Sequence, residues 1–204
     1  MKGFLKKLFN ADEKKVVTIV SGLPRSGTSM MMKMLEAGGI PPLTDKERRA
    51  DDDNPKGYYE FERVKKLPDD TAWLPQAEGK AVKVISQLLK HLPGGYEYRV
   101  IFMRRNLDEI LASQKKMLVR RGEDPNKVSD EELAALFEKH VQQVTGWLQA
   151  QANVQTLFVH YTEMLTDPMA NAHMVNQFLG GGLNSQAMAE VVDPNLYRNR
   201  QESM

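Results

Sequence analysis

The chain carries the stretch Val-Val-Thr-Ile-Val-Ser-Gly-Leu-Pro-Arg-Ser-Gly-Thr-Ser-Met-Met-Met-Lys-Met-Leu at residues 16–35, and this stretch decides the predicted fold. The β-branched residues 16–20 predict a buried strand that ends near Gly22. From Met30 onward, apolar residues recur at helical spacing until the glycines at 38–39. This order of elements predicts an anion-binding loop, because the first N–H groups of a helix lack intrahelical partners.

The loop has the glycine spacing of a Walker A motif but lacks its lysine. Four residues separate Gly22 from Gly27, and Ser29 occupies the hydroxyl position, whereas Thr28 stands where the lysine belongs. A nucleoside triphosphate needs that lysine on its outer phosphates, usually together with Mg²⁺. Arg25 is the single cation in the loop sequence. The loop therefore suits a smaller anionic group that is handled without a metal ion.

Length and composition predict one domain over residues 1–204, with a basic segment at 1–14 and an irregular segment at 40–80. The 28 Lys and Arg residues are matched by 27 Asp and Glu residues, which argues against nucleic acid as a partner. The chain has no cysteine, which is typical of a reducing compartment. It also has no apolar run that suits a membrane span or a signal peptide. We expect a soluble, cytoplasmic protein.

Residues 1–9 have a basic amphipathic pattern, with Phe and Leu at 4, 5, 8 and 9 and Lys at 2, 6 and 7. Two interpretations stand for this segment. In the first, the segment contacts a membrane surface weakly. In the second, it packs on the domain or frays, because so short a helix has only marginal stability by itself.

Strands and helices alternate along the rest of the chain. Residues 80–86, 98–103 and 156–161 predict three further strands. Three helices are predicted from their caps, namely one after Asn106 that ends at 120–122, one after the capping box Ser129 to Glu132, and one from Asp167 to the glycines at 180–182. His140 lies on the apolar stripe of the second of these helices, so we expect it in the core. The alternation predicts a parallel sheet with helices on both faces.

Residues 23–29, Leu-Pro-Arg-Ser-Gly-Thr-Ser, resemble the 5′-phosphosulfate loop of sulfotransferases that use 3′-phosphoadenosine 5′-phosphosulfate (PAPS). The resemblance implies an α/β, P-loop-type three-layer sandwich with a mostly parallel central sheet. It also implies that the loop binds the donor through Pro24, Arg25, Ser26, Gly27, Thr28 and Ser29.

Two further matches follow in the order that the family has them. Arg105 at a strand end precedes Ser113 by eight residues, which resembles the 3′-phosphate-binding motif of the family. Residues 161–168, Tyr-Thr-Glu-Met-Leu-Thr-Asp-Pro, resemble a late pattern of the family whose expected role is structural. Arg198 is a further candidate for a phosphate contact, and so is Arg200, two residues later.

The activity that the resemblance implies is transfer of a sulfuryl group from PAPS to a hydroxyl or amine acceptor, without a metal ion. Negative charge builds on the leaving phosphate oxygen during this transfer. We expect Arg25 to stabilise that charge together with the N–H groups of Ser26 to Ser29, because guanidinium is always protonated and can bind in a bidentate manner.

The general base is not identified by the resemblance. Lys83 resembles in position a lysine that polarises the sulfuryl group in cytosolic relatives, but Ile85 stands where those relatives have a catalytic histidine. His91 lies too far along the chain and is expected at a helix end or turn. The candidates are instead the carboxylates at Asp45, Glu47 and Glu60. Glu47 and Glu60 rank equally, since protein-tyrosine sulfotransferases use a glutamate at a comparable distance after the loop.

The irregular segment 40–80 is expected on the acceptor side, because long irregular connections in compact domains are often functional. Tyr58, Tyr59 and Trp73 either line the acceptor site or cover the edge of the core. The acceptor class is left open among carbohydrate, lipid, small phenol and peptide.

Two other functions compete with sulfuryl transfer. The first is a P-loop kinase or nucleotide hydrolase, against which the missing lysine argues. The second is a non-catalytic module that binds an adenosine phosphate, which the missing histidine keeps open.

Overall fold

Four parallel strands form the central sheet of the structure, a computed structural model that describes residues 15–45 and 57–193. The strands are β1 (Val16–Gly22), β2 (Ala81–Lys83), β3 (Glu97–Arg104) and β4 (Val154–His160). They lie in the order β2-β1-β3-β4, and each neighbouring pair is parallel. In register, Val20 pairs with Lys83 on one side and with Ile101 on the other. The carboxyl ends of all four strands therefore meet at one edge.

Helices cover both faces of this sheet, which confirms the predicted α/β fold class. The caps of three helices are those expected from the sequence: the side chains of Asn106, Ser129 and Asp167 accept hydrogen bonds from backbone N–H groups two or three residues later. The helices are α1 (Thr28–Gly38), α2 (Leu107–Arg120), α3 (Asp130–Ala150), α4 (Tyr161–Thr166), α5 (Pro168–Phe178) and α6 (Ser185–Glu190). Shorter 3-10 helices span Glu62–Lys66, Leu74–Ala77 and Ser86–His91.

The side chains of β1 and β3 alternate between two cores, as the period of a strand requires. Val17 and Ile19 point into the first core with Trp73 and Leu148, whereas Val20 points into the second core. The second core is rich in methionine and is formed by β1, β3, β4 and helices α1, α4, α5 and α6. Because both faces of β1 and of most of β3 are buried, these two central strands have nearly continuous apolar runs, and the sequence pattern predicts them well.

Helix α3 departs from its prediction, because most of its apolar stripe is only partly buried. Leu148 is its one buried residue, and Leu136 is 55% exposed. His140 is half-buried and hydrogen-bonded rather than a core residue, with Nε2 lying 2.8 Å from Ser86 Oγ. With 21 residues, α3 is roughly 31 Å long, which is longer than β4, whose seven residues extend roughly 23 Å.

The described parts of the segment 40–80, residues 40–45 and 57–80, make more regular contacts than their sequence suggests. Leu43 N–H bonds to the Ala81 carbonyl at 2.8 Å, and Ala81 N–H bonds to the Pro41 carbonyl at 3.0 Å, which extends the sheet beyond β2. Trp73 is completely buried and packs edge-on against Phe61 at 5.7 Å between ring centroids. Of the two interpretations of Trp73, coverage of the core is therefore the one that the structure supports.

Several predictions fall on residues outside the described ranges, namely those on segments 1–14 and 46–56, which include Glu47, and those on Arg198 and Arg200. Within residues 15–45 and 57–193, no helix has the length and apolar character that crossing a membrane requires.

Candidate functional site

A cavity of about 610 Å³ opens where β1, β2 and β3 end. Crevices at the carboxyl ends of parallel strands are the usual ligand sites of open α/β sheets. The cavity brings together residues that are far apart in the sequence. Among the predicted site residues, those that line it are Pro24, Arg25, Gly27, Thr28, Ser29, Glu60, Lys83, Arg105 and Ser113.

The loop between β1 and α1 depends on two glycines. Gly27 has φ +98°, and a Cβ at this position would lie 2.5 Å from the Tyr161 ring. A Cβ at Gly22 would lie 2.7 Å from the carbonyl oxygen of Met103. A larger residue at either position would collide with β3 or α4, so the glycine spacing has a steric cause. Helix α1 begins at Thr28 with no side-chain cap, and its N-terminal turn lines the cavity.

Arg25 lies in a left-handed backbone conformation, with φ +68°. This region costs a non-glycine residue roughly 1–2 kcal/mol, and such strain often occurs at functional sites. The Nε–H group of Arg25 donates to Ser113 Oγ at 2.9 Å. The strained backbone thus directs the guanidinium across the cavity toward α2, and the two predicted phosphate-binding motifs are in direct contact.

Arg105 is fixed by three neighbours. Its Nη1 donates to the Arg25 carbonyl at 3.0 Å, and its Nε donates to Glu109 Oε2 at 2.8 Å. The guanidinium carbon lies 4.4 Å from the centroid of the Tyr161 ring, a cation–π distance. Glu109 is only 4% exposed, so its charge is compensated by this pair. Burial raises the pKa of the Tyr161 phenol, which therefore stays protonated at neutral pH.

Glu109 and Tyr161 were not predicted as site residues. The sequence placed Glu109 only within the helix predicted after Asn106, and it gave the motif of Tyr161 a structural role. The four-residue spacing from Arg105 to Glu109 could have indicated the ion pair. The position of Tyr161 beside the loop had no signal in the sequence, because it depends on the adjacency of β3 and β4.

Ser26 requires a correction. It was predicted to contact the donor, but it is completely buried, and both its N–H group and its hydroxyl group bond to the Leu23 carbonyl, at 3.3 Å and 2.7 Å. These bonds close the loop on itself. Ser26 therefore shapes the loop and does not face the cavity.

Lys83 and Glu60 meet on the opposite wall of the cavity. The Lys83 Nζ lies 3.7 Å from Glu60 Oε1, and their side chains are 11% and 22% exposed. Lys83 also donates to the carbonyl of Tyr58, and its Nζ lies 5.9 Å from the centroid of the Tyr58 ring. The hydroxyl of Ser29 contacts the same carbonyl at 3.5 Å. These contacts tie the segment around Tyr58 to both β2 and the loop.

The other candidate bases are placed differently. Asp45 is not among the described lining residues; its Oδ2 accepts a hydrogen bond from the Glu62 backbone N–H at 2.6 Å and so supports the 3-10 helix whose Val64 and Lys65 line the cavity. Tyr59 is also outside this lining, with its hydroxyl bonded to Glu36 at 2.5 Å. Ile85 lines the cavity and is 48% exposed. No histidine occurs among the described lining residues, and His91 ends a 3-10 helix as expected.

Comparisons with known proteins agree with this geometry. The model of the sulfotransferase domain family matches residues 16–204 of this chain. Among solved structures, the sulfotransferase domain of the Synechococcus PCC 7002 olefin synthase is 17% identical, with a TM-score of 0.57 over 95% of this chain and 91% of that one. Sulfotransferase STF1 from Mycobacterium tuberculosis H37Rv is 17% identical, with a TM-score of 0.55 over 92% and 73%.

Mouse sulfotransferase SULT7A1, solved in complex with PAP, is 19% identical, with a TM-score of 0.53 over 92% of this chain and 67% of that one. At identities below 20%, the similarity to these three solved structures shows a shared fold. No curated protein sequence matches the chain significantly. Because the domain match covers nearly the whole length from the first strand onward, the chain belongs to the sulfotransferase domain family.

Proposed function

We propose that this protein transfers a sulfuryl group from PAPS to the hydroxyl group of an acceptor. The observation that carries the proposal is the contact between Arg25 and Ser113, which joins the two predicted phosphate-binding motifs in one cavity. PAPS has two separate anionic groups, the 5′-phosphosulfate and the 3′-phosphate. The mouse relative was solved with PAP, which supports the same class of donor.

The residues present fit such a donor. The N-terminal turn of α1 and Arg25 would hold the 5′-phosphosulfate, because backbone N–H groups and guanidinium both bind anions. Arg105 and Ser113 would hold the 3′-phosphate. Gly27 lets the backbone lie against Tyr161, at a place where any Cβ would collide with the ring. Arg25 stabilises the charge that develops on the leaving phosphate oxygen.

Lys83 and Glu60 would act on the acceptor side. The ammonium group of Lys83 lies beside the carbonyl of Tyr58 and the carboxylate of Glu60. From this position it would stabilise the negative charge on the sulfuryl oxygens. Glu60 would take the proton of the acceptor hydroxyl while the oxygen–sulfur bond forms and the bond from sulfur to the phosphate oxygen breaks. This assigns to Glu60 the role that a histidine at position 85 has in cytosolic relatives.

Two measurements test the proposal. Adenosine 3′,5′-bisphosphate should raise the Tm in the absence of Mg²⁺, since the site binds it through cations and N–H groups. Radiolabelled PAPS should then give a labelled product with at least one member of an acceptor panel of alcohols, phenols and sugars. Binding with no transfer to any acceptor would favour the non-catalytic module, and stabilisation by Mg²⁺-ATP alone would favour a kinase or hydrolase.

A further inference from the structure

A second cavity, of about 960 Å³, opens at the carboxyl ends of β3 and β4, where these strands meet helices α2 and α3. Its volume lies within the range of small-molecule sites in proteins. Leu23 and Arg105 line both this second cavity and the cavity of the proposed donor site, so the two cavities adjoin each other. The proposed transfer reaction assigns no role to the second cavity.

Arg104 and Arg105 are adjacent in sequence but serve different cavities. Successive side chains of a strand point to opposite faces of the sheet. Arg105 contacts Arg25 and Tyr161 and belongs to the proposed donor site. The guanidinium carbon of Arg104 lies instead 4.1 Å from the centroid of the Phe158 ring, and Arg104 lines only the second of the two cavities. The donor site therefore does not account for Arg104.

The charge of Arg104 is not compensated by the described protein groups. Within residues 15–45 and 57–193, no carboxylate forms an ion pair with Arg104, whereas Arg105 pairs with Glu109. The Nε–H group of Arg104 is buried and has no acceptor in the same part of the chain. The ring of Phe158 attracts the cation, but a buried donor without an acceptor remains unfavourable. An anion in the second cavity would supply both the missing charge and the missing acceptor.

Helix α3 presents one face to the second cavity. A further orphaned atom lies on this face, because the buried Oγ1 of Thr145 has no hydrogen-bond partner among the described residues. Unpaired polar atoms thus occur on two walls of the same cavity, one on β3 and one on α3. The α3 residues that line the cavity recur at three- and four-residue spacing, namely Glu138, Val141, Gln142, Thr145, Gly146 and Gln149.

Gly146 keeps this face of α3 open. A glycine in the interior of a helix is destabilising relative to alanine, and close packing against a neighbour is a common reason for it. No such reason exists at Gly146, because a Cβ there would meet no atom within 4 Å. The effect of the glycine is instead to leave space in the second cavity beside Thr145.

The charges around the second cavity favour a ligand with a single negative charge. Its titratable lining residues in the described chain are Arg104, Arg105, Glu138 and His160. Arg105 is compensated by Glu109, and Glu138 and His160 are exposed. One uncompensated cation therefore remains, and a dianion would also be repelled by Glu138. A guanidinium group binds a carboxylate through two parallel hydrogen bonds, which makes a carboxylate the best match for Arg104.

We propose that the second cavity binds a small organic carboxylate, whose carboxylate group pairs with Arg104. Its apolar part lies between the partly exposed side chains of Leu107 on α2 and Val141 on α3. Gln142 and Thr145 supply further hydrogen-bonding groups. The inference goes beyond sulfuryl transfer and does not depend on it, since none of these residues belongs to the proposed donor or acceptor groups.

The test compares ligands that differ only in charge. The full-length protein, labelled with ¹⁵N, is titrated in NMR experiments with benzoate, 3-phenylpropanoate and hexanoate, and with the corresponding neutral amides. We expect at least one carboxylate to bind at least about tenfold more tightly than its amide, as a charge-assisted hydrogen bond allows. The resonances of the Arg104 Nε–H group and of the Gly146 backbone amide should shift. Absence of saturable binding by all three carboxylates would overturn the proposal.

The same spectra locate the ligand. If the largest shifts occur at the backbone amides of Gly27 and Thr28, the carboxylate occupies the donor cavity and the inference is wrong. Arg104→Gln should lower the affinity for the carboxylate by at least about tenfold, to that of the amide. Lys139→Gln is the control with the same change in net charge, since Lys139 is exposed on α3 outside the described lining of either cavity. Unchanged affinity in Arg104→Gln would contradict the assignment.

Gly146→Leu tests the site without changing Arg104 or its contact with Phe158. A leucine side chain would fill part of the second cavity, and leucine is a better helix former than glycine, so the fold should be retained. We expect the carboxylate and its amide to lose affinity alike. Gln143→Leu places the same side chain at an exposed position of α3 outside the described lining and should bind normally. Full affinity in Gly146→Leu would show that the ligand binds elsewhere.

Discussion

Arg25 and Ser113 are separated by 88 positions in the sequence, yet the Nε–H group of Arg25 donates to Ser113 Oγ at 2.9 Å. Arg105 strengthens the connection, because its Nη1 donates to the Arg25 carbonyl at 3.0 Å. The loop after β1 and the helix after β3 thus form one unit rather than two neighbouring sites. A change in any of these three side chains should therefore disturb the position of the other two.

Arg25→Ala should leave the fold intact and lower the rate of transfer. A charge-assisted hydrogen bond contributes roughly 1.5–3 kcal/mol, so the rate constant should fall by about tenfold to over a hundredfold. The measurement is single-turnover transfer from labelled PAPS, with circular dichroism as the check on folding. Unchanged transfer would exclude Arg25 from the transition state.

Arg25→Gly is the matched variant for the strained backbone. Glycine adopts the left-handed region without a Cβ penalty, so Arg25→Gly should have a higher Tm than Arg25→Ala, while the rate of transfer should be lowered equally in both variants. Equal Tm values would show that the left-handed conformation is not strained in solution.

Arg105→Ala should weaken adenosine 3′,5′-bisphosphate much more than adenosine 5′-phosphate, because only the former has a 3′-phosphate. It should also destabilise the fold by about 3 kcal/mol or more, since Glu109 would remain buried without its cation. Isothermal titration and chemical denaturation measure the two effects separately.

Arg105→Ala/Glu109→Gln separates stability from recognition. Removing the uncompensated carboxylate should restore most of the free energy of unfolding without restoring affinity for the 3′-phosphate. If the affinity for adenosine 3′,5′-bisphosphate returned together with stability, Arg105 would have only a structural role.

Glu60→Gln should lower kcat by about a hundredfold or more with little change in KM, as expected for loss of a general base. Glu62→Gln is the control, because Glu62 pairs with Lys65 and is not among the described lining residues. Adding Ile85→His to Glu60→Gln should recover part of kcat, with a pH dependence that follows the imidazole. Full activity of Glu60→Gln alone would assign the base to another residue.

The partly buried position of His140 should make stability depend on pH. Burial, together with the charge of Lys90, lowers the pKa of His140 below its usual 6.5. The unfolded chain therefore takes up the proton at a higher pH than the folded protein. This contribution to the free energy of unfolding is complete above about pH 6.5 and is lost as the pH falls toward the lowered value.

Denaturant unfolding at about pH 7.5 and about pH 5.5 measures this effect, and His140→Gln is the control, since its amide can still bond to Ser86. The difference in unfolding free energy between the natural protein and His140→Gln should change with pH in the direction given. A difference that is constant across this pH range would contradict the lowered pKa of His140.

The sequence predicted the fold well because the central strands β1 and β3 are largely buried on both faces. Several helices also have explicit caps, such as Asn106 and Asp167. It predicted α3 less well, because an amphipathic stripe shows which side of a helix is apolar but not whether that side is covered. Ser26 shows the same limit within the loop. Its residue type suits phosphate contact, but its orientation toward the Leu23 carbonyl depends on the shape of the loop.

By itself, the sequence determined the parallel α/β architecture and the glycine loop, since both follow from local pattern and spacing. The resemblance to sulfotransferases added Arg25, Arg105 and Ser113 as candidates for one donor site. Only the tertiary structure decided which distant groups share the cavity. It placed Glu60 beside Lys83, buried Trp73 in the core, and set Tyr161 and Glu109 around Arg105. These contacts depend on the order β2-β1-β3-β4, which brings remote segments to one edge of the sheet.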